Sequence, residues 1–401
     1  MRVVVIGGSF GGMTAAYNLR KRLAPSKCEI RLISKERRFV FIPSLPWVIM
    51  GSKTLNQISF DLEKPLARKK IDFVHSTALR VDPQAQKVVT DGEEHSYDYL
   101  VIATGHRSVN EAVPGLGPFD GPAHSPMSPS EAEEAREAVK RLLEDPGPMV
   151  IGCAPGASCL GAAYEFAFQI DHLMRSKKIR HIAPMTFVTP EPFLGHMGAG
   201  GMGRARQFLE GEFEERSIRY FTSAAISKIT ESSVKLADGK GFESRFSLII
   251  PPLAGVNAMI ESPGLGNPKG FVPVDQHYRH QEFPNIYAAG VAVAFPPVDE
   301  TLVPVNFLKT AHMTEQMAAA VAHNIAVDIS GGEKRARLLF AECILDMGDG
   351  AARMKLDPVR PPRNVADISE GKRWLWAKRF FEHYYLWKAK RGKTVSRGLG
   401  W

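Results

Sequence analysis

The beginning of the chain constrains its fold more than any other part, because an apolar strand, a glycine-rich turn and a helix follow one another directly. An apolar run from Arg2 leads into the glycine-rich turn Gly7 to Gly12, a helix through Arg22 and a second strand over residues 29–34. This succession is the βαβ unit that binds dinucleotides. We therefore predict a Rossmann-like domain at the start of the chain.

The turn fits the pattern Gly-x-Gly-x-x-Gly only with Ser9 in place of the middle glycine. Such a turn brings backbone N–H groups to a pyrophosphate at the N-terminus of the following helix. An acidic residue usually follows the second strand and binds a ribose hydroxyl. Here Ser34 or Lys35 stands at that place, with Glu36 beyond, so these residues must supply the nucleotide contacts instead.

A second strand, glycine-rich turn and helix begin near Pro148, and this turn differs from the first where a nucleotide would bind. Ala154 replaces the glycine that lets a pyrophosphate approach, which disfavours NAD(P)H. Cys159 falls on the first turn of the predicted helix, where the positive field of the helix N-terminus favours a reactive thiolate. A small buried thiol without a chemical role fits the position equally well.

Two further strands run into glycine turns, at residues 97–106 and 285–291, as expected where a flavin passes close to the backbone. Together these patterns predict an α/β fold with two Rossmann-like dinucleotide-binding domains, as in glutathione reductase, the second inserted into the first. The expected limits are 1–122 with 270–330 for the FAD-binding domain and 123–269 for the second, NAD-type domain that carries a redox cysteine. Residues 331–401 form a C-terminal membrane-association region.

The positive charge of the chain is concentrated at its C-terminal end. The net charge is +8, and residues 372–401 contain nine Lys and Arg against Glu382 alone, so the rest of the chain is neutral. Helical spacing in this segment forms an aromatic stripe of Trp374, Ala377, Phe381 and Tyr384, beside Phe380 and Trp387, with Trp376 and Trp401 in the same segment. A helix of this kind lies in the membrane interface, with its cations on anionic lipid.

A helix packed on the protein body with a basic outer face is the structural alternative, and nucleic-acid binding is disfavoured because no nucleic-acid motif accompanies the patch. No apolar run reaches the roughly 18 to 20 residues that a membrane-spanning helix needs. The first residues lack the features of a signal peptide. We expect a peripheral, monotopic protein on the cell membrane, on its cytoplasmic face, and avidity makes a homo-oligomer plausible.

Several segments together resemble the sulfide:quinone oxidoreductases, FAD-dependent proteins of the disulfide-reductase superfamily, along essentially the whole chain. Residues 156–166 resemble the segment with the family's redox cysteine, and residues 341–350 resemble the segment with its partner, Cys343. Residues 41–47, 193–201, 308–310 and 380–388 match further segments in the family's order. The resemblance implies a membrane flavoenzyme that oxidises sulfide to polysulfide or elemental sulfur and passes two electrons through a cysteine pair and FAD to quinone.

By this resemblance Cys159 and Cys343 form a disulfide or persulfide bridge beside the flavin. Glu165 and His196 handle protons near the site, and Lys309 stabilises anionic reduced flavin. Each of these three has a simpler alternative: a helix carboxylate paired with a lysine, a turn-capping histidine and a surface lysine.

The predicted ligand contacts form two sets, and no metal site is expected. The contacts to FAD are Gly7, Gly8, Ser9, Phe10, Gly11, Gly12, Ser34, Lys35, Thr77, Ala78, Thr104, Gly105, Gly290 and Lys309. The contacts to a membrane quinone are Phe340, Phe380, Phe381 and Tyr384.

The chain departs from the family at its third cysteine. Met127 stands at that position and Glu131 replaces the histidine four residues later, which affects how the product is released. No cysteine lies near Pro43, so FAD is expected to bind noncovalently. The alternatives are a type II NADH:quinone oxidoreductase, a sulfide dehydrogenase with a cytochrome c acceptor, and a non-enzymatic, flavin-bearing redox sensor.

Overall fold

The computed structural model describes residues 1–393 of the chain. Its strands, numbered β1 to β22 in chain order, are Arg2–Ile6, Glu29–Ser34, Arg38–Val40, Ser59–Asp61, Asp72–His75, Ala78–Asp82, Lys87–Thr90, Glu94–Ser96, Tyr99–Ile102, Arg107–Ser108, Met149–Cys153, Met185–Val188, Ile218–Phe221, Ile226–Thr230, Ser233–Leu236, Gly241–Glu243, Phe246–Ile250, Leu253–Ala254, Ile286–Ala288, Ala341–Asp346, Ala351–Asp357 and Val365–Glu370. Its helices, α1 to α9, are Phe10–Arg22, Leu45–Ile49, Glu63–Ala67, Pro129–Glu144, Leu160–Ser176, Ala205–Glu215, Asn257–Ile260, Ala311–Ser330 and Lys372–Ala389.

The first sheet is parallel, with the strand order β19-β9-β1-β2-β5. Its central strand β1 is buried from Val3 to Ile6, as expected of a parallel strand that is covered on both faces. Helix α1 begins at Phe10, within the first glycine turn, and packs against α8, which follows β19. The carboxyl ends of β1, β2 and β9 therefore meet at one edge, where ligands bind in sheets of this type.

The second parallel sheet has the order β13-β12-β11-β17 and is built on the second strand-turn-helix unit. Its strands β11, β12 and β17 are completely buried, and α5 packs on β11 and β17. Position 152 of β11 is occupied by glycine because a Cβ there would come within 1.9 Å of the Val188 carbonyl oxygen on β12.

The C-terminal part of the described chain forms the antiparallel sheet β20-β21-β22, followed by α9. The sheet contacts α5 through β20, and α9 lies against β20 and β21. No helix within residues 1–393 combines the length and the apolar character needed to cross a membrane.

The α/β fold with two Rossmann-like sheets is confirmed. We propose the domain limits 1–122 with 270–330, 123–269, and 331 onward, because β1, β9 and β19 share one sheet while β11 to β13 and β17 form the other. Trp401 lies outside the described residues.

Candidate active site

The first glycine turn borders a cavity of about 1770 Å³ at the carboxyl edge of the first sheet. Residues 7–11 line it, together with the ends of β2, β9 and β19. Gly12 is not part of the cavity wall. A Cβ at Gly12 would lie 1.8 Å from the Gly7 carbonyl oxygen, so this glycine lets α1 approach the turn closely.

Every predicted FAD contact except Gly12 lines this cavity. The Thr104 hydroxyl on its wall is buried and has no hydrogen-bond partner within residues 1–393, and a buried polar group in that state calls for a ligand. At the end of β2, the Ser34 hydroxyl bonds the backbone N–H and carbonyl of Glu36, at 3.1 and 2.9 Å, and so fixes the turn that lacks the usual acid. These residues fit a flavin dinucleotide.

The second glycine turn is closed by the chain itself. The Ala154 N–H donates to the Ile250 carbonyl at 2.9 Å, and the Gly156 N–H donates to the Pro304 carbonyl at 2.6 Å. The Asn306 side-chain amide donates to the Gly156 carbonyl, also at 2.6 Å. Backbone groups that would face a second pyrophosphate are thus already bonded, which adds to the obstacle that the Ala154 side chain presents.

Cys159 is the N-cap of α5, immediately before the first helical turn, and its side chain lies on the cavity wall. Its thiol donates to the Lys309 carbonyl at 3.8 Å. Burial raises the pKa of Cys159 to about 11, although the Lys309 ammonium acts in the opposite direction. Desolvation therefore opposes the thiolate that the helix N-terminus is expected to favour.

Cys343 lies on β20, opposite Met354 of β21, and lines the same cavity as Cys159. Burial, and then the charge of Glu165, raise the pKa of Cys343 to about 12. All four cysteines are free thiols in the structure. Cys28 and Cys153 are buried and do not line the cavity, so the two thiols that share its wall are the two that the family resemblance pairs.

Glu165 lies on α5 in the cavity wall and forms an ion pair with Lys378 of α9. It also accepts a hydrogen bond of 3.0 Å from the Gln169 side chain. Burial raises the pKa of Glu165 to about 7, against the lowering effect of Lys378. A carboxyl group beside Cys343 that exchanges its proton near neutral pH suits proton transfer.

Lys309 is held in the wall by its ammonium group, which donates to the carbonyls of Val291 at 2.8 Å and Val293 at 3.0 Å. The nitrogen also lies 3.7 Å from the centre of the Phe271 ring. Burial lowers the pKa of Lys309 to about 7. The structure thus excludes the alternative of a surface lysine.

His196 is buried but does not line the cavity. One ring nitrogen lies 3.0 Å from an Asp299 carboxylate oxygen, and the other accepts the Gly198 N–H at 3.3 Å. This arrangement organises the glycine-rich turn over residues 195–203. The structure therefore favours the turn-capping alternative over a direct catalytic contact.

The four predicted quinone contacts separate in the structure, and only Phe381 lines the cavity. Phe340 packs edge-on against His312, with ring centres 4.7 Å apart. Phe380 is 63% exposed and stacks on Tyr384 on the outside of α9. A direct contact of Phe340, Phe380 or Tyr384 with a ligand in this cavity is therefore not supported by the geometry.

The exposed aromatic stripe of α9 also differs from the predicted one. Trp376, Phe380 and Trp387 are 70%, 63% and 49% exposed, with Tyr384 between them. Phe381 instead faces inward, 6.1 Å from the ring of Phe41. The helix is thus both packed on the body and aromatic on its outer face, because its hydrophobic residues cover more than one side.

Sequence reasoning missed Lys378, whose position one turn before Phe381 places both on the inner side of α9. It also missed His106 on the cavity wall, where burial lowers the pKa to about 4. Met127 lines the cavity at the place of the family's third cysteine. Glu131 is a helix-capping residue, because its carboxylate accepts the Ser128 N–H at 3.0 Å in the capping box that begins α4.

The fold and the site define a class: a flavin-dependent oxidoreductase with two cysteines at its dinucleotide cavity. Residues 1–323 match the family described as pyridine nucleotide-disulphide oxidoreductase. A sulfide-quinone reductase of Aquifex aeolicus is 39% identical over 98% of this chain and 92% of its own. The chain belongs to the sulfide-quinone reductase family.

Solved structures agree with this assignment. The sulfide:quinone oxidoreductase from Aquifex aeolicus superposes with a TM-score of 0.94 at 37% identity, covering 98% of this chain and 92% of that one. NDH2 from Plasmodium falciparum, in complex with NADH, covers 98% of this chain and 96% of its own with a TM-score of 0.71. At 14% identity, that second likeness shows a shared fold alone.

Proposed function

We propose that this protein oxidises sulfide and passes two electrons through the Cys159–Cys343 pair and noncovalently bound FAD to a membrane quinone. One observation carries the proposal: both thiols lie on the wall of the cavity that the first glycine turn borders. FAD, when bound, supplies two-electron acceptance from sulfur and two-electron donation to quinone.

The sulfur step begins with the two cysteines joined as a disulfide. Hydrosulfide attacks one sulfur and breaks the S–S bond, which leaves a persulfide on one cysteine and a thiolate on the other. Withdrawal of two electrons then joins the persulfide sulfur to that thiolate. Further hydrosulfide removes the bridging sulfur as a hydropolysulfide and restores the disulfide, so sulfide is oxidised and no other reductant is needed.

Proton transfer at the cysteine pair falls to Glu165. Because burial keeps the pKa of the Cys343 thiol at about 12, that thiol holds its proton until a neighbouring base accepts it. Glu165 is the carboxyl group whose charge affects Cys343 most, and its own pKa of about 7 lets it take up and release a proton at neutral pH. Lys378 limits how far that pKa rises.

The quinone end of the site is assigned to the part of the cavity where α9 forms the wall. Phe381 offers a ring there for the quinone head group, and the Glu165–Lys378 ion pair offers charged hydrogen-bonding groups for its oxygens. Phe340, Phe380 and Tyr384 do not line the cavity and have no direct contact with the quinone in this proposal. Met127 cannot carry a persulfide, so product sulfur stays on the two cysteines until it is released.

The outer stripe of α9 is assigned to the membrane surface, on the cytoplasmic face, with several protomers gaining avidity if the protein oligomerises. This arrangement lets a lipid-soluble quinone reach the wall formed by α9, and so favours quinone over cytochrome c. The closed second glycine turn argues against NADH as electron donor.

The test is steady-state turnover of the purified flavoprotein with sulfide and a short-chain, water-soluble quinone under anaerobic conditions. We expect quinone reduction that depends on sulfide, with polysulfide or elemental sulfur as product. Quinone reduction by NADH in place of sulfide would overturn the proposal.

A further inference from the structure

Seven basic residues lie in two parts of the chain that contact each other: α3 with the segment that follows it, and the C-terminal end of α9. We call this set the basic patch; it consists of Lys64, Arg68, Lys69, Lys70, Lys390, Arg391 and Lys393. The Arg68 guanidinium donates to the Lys390 carbonyl at 3.3 Å, and a Cβ at Gly392 would lie 2.5 Å from the Lys69 side chain. Contacts between two distant parts of the chain therefore hold the two groups of cations side by side.

The basic patch is not neutralised by the protein. Within residues 1–393, none of its seven cations forms an ion pair with a carboxylate. The acidic residues in and near α3 form ion pairs with arginines outside the basic patch: Asp61 and Glu63 with Arg37, and Asp72 with Arg31. Six of the seven side chains are exposed, and Lys69 is half-buried. So many unpaired cations repel one another unless an anionic surface faces them.

The basic patch continues the exposed aromatic stripe of α9. The Arg391 guanidinium lies 4.3 Å from the centre of the Trp387 ring and donates to the Trp387 carbonyl at 3.0 Å. An exposed tryptophan next to unpaired cations is the composition that binds at the headgroup level of an anionic bilayer. Neither the patch nor Trp387 lines the flavin cavity.

We infer that the basic patch binds anionic phospholipid headgroups, so that α3 and the end of α9 together attach the protein electrostatically to the bilayer. This inference rests on the proposed membrane attachment of α9 and adds a second attachment point from the first domain. A membrane-binding surface that extends from α9 onto α3 fixes the tilt of the protein on the bilayer, which a single helix does not.

The experiment measures binding of the flavin-loaded protein to vesicles of phosphatidylcholine alone and of phosphatidylcholine with phosphatidylglycerol. The test variant is Lys64→Gln, Arg68→Gln, Lys69→Gln and Lys70→Gln combined. The matched control removes the same charge from four exposed, unpaired lysines on the second domain: Lys177→Gln, Lys178→Gln, Lys228→Gln and Lys235→Gln. Because each cation near an anionic surface contributes about 1 kcal/mol, the test variant should lose about 100-fold or more of its affinity for anionic vesicles.

The control should bind anionic vesicles nearly as the unmodified protein does, and turnover with a soluble quinone should be unchanged in both variants. Equal losses in test variant and control, or no preference of the unmodified protein for anionic vesicles, would overturn the inference. Selective loss of nucleic-acid binding, with vesicle binding intact, would also overturn it. Failure of the proposed function shows separately, as an absence of sulfide-dependent turnover in the unmodified protein.

Discussion

The two glycine turns follow equivalent strands, yet the structure uses them for different purposes. The first turn, at residues 7–12, borders the large cavity and leaves its loop facing that space. The second, at residues 152–157, is bonded by Ile250, Pro304 and Asn306, and places Cys159 at the start of α5. The same motif can thus bind a nucleotide or position a redox thiol, depending on whether other segments of the chain hydrogen-bond to its backbone.

The comparison shows why the motif alone does not decide the electron donor. Both turns have the strand, glycine and helix that predict dinucleotide binding. The difference lies in segments distant in sequence, which close the second turn.

The largest effect is expected from Cys343→Ser, which removes one sulfur of the pair. Turnover with sulfide and soluble quinone should fall by about 10,000-fold, since a serine hydroxyl cannot form the disulfide or the persulfide. Flavin content should stay unchanged, because the first glycine turn is untouched. Substantial turnover in a fully flavin-loaded Cys343→Ser protein would show that the sulfur step does not use the pair.

Glu165→Gln tests proton transfer at the cysteine pair. Glu165 lies on α5, the helix that follows the second turn. Turnover should fall by about 100-fold, the usual contribution of a general acid or base. In the unmodified protein, Glu165 loses its proton above its pKa of about 7, so turnover that needs it as the base for Cys343 should rise as pH increases through 7.

The pH profile provides the controls for that prediction. Lys378→Met removes the charge that lowers the pKa of Glu165, so the rising limb should move to higher pH. Glu133→Gln, at an exposed carboxylate on the cavity rim, should leave the profile unchanged. An unaltered rise in Glu165→Gln would assign the limb to another group.

Gly12→Ala tests the first turn. The new Cβ would lie 1.8 Å from the Gly7 carbonyl oxygen, and overlap of this kind costs about 1–3 kcal/mol, so the dissociation constant of FAD should rise about 30-fold. Gly211→Ala is the matched control, because a Cβ on that helical glycine meets nothing within 4 Å. Equal flavin affinities in the two variants, measured by fluorescence titration, would contradict the role of the first turn.

The smallest effect is expected from Ala154→Gly, which restores the missing glycine of the second turn. NADH should still not bind, because Gly156 and its neighbours remain bonded to residues 304–306. Calorimetric titration with NADH checks this. Tight binding after this single change would mean that the side chain of Ala154 alone, and not the covering segment, closes the turn.

The sequence predicted the elements whose signal is local. The first βαβ unit follows from residues 2–34, and the family resemblance of the segments around Cys159 and Cys343 implied that these two thiols share one site. The thiol pKa could not be predicted in the same way, because it depends on burial by segments far along the chain. Desolvation raises the pKa of the Cys159 thiol even though this residue lies at a helix N-terminus.

Orientation around a helix was the other point at which the sequence was insufficient. Helix α9 has aromatic residues on several sides, so its spacing does not say which of them face outward. Packing against the body turns Phe381 inward and leaves Trp376 and Phe380 exposed. The Glu165–Lys378 ion pair joins residues 213 positions apart, and no local pattern indicates it.

Anaerobic bleaching of the bound flavin tests the central claim most directly, because it asks which donor reaches the flavin and through which thiol. We predict that sulfide bleaches the unmodified protein and that NADH does not. Cys159→Ser should abolish bleaching by sulfide, whereas Cys28→Ser, whose side chain keeps the Glu29 carbonyl as its hydrogen-bond acceptor, should bleach normally. Bleaching by NADH, or undiminished bleaching of Cys159→Ser by sulfide, would contradict the account.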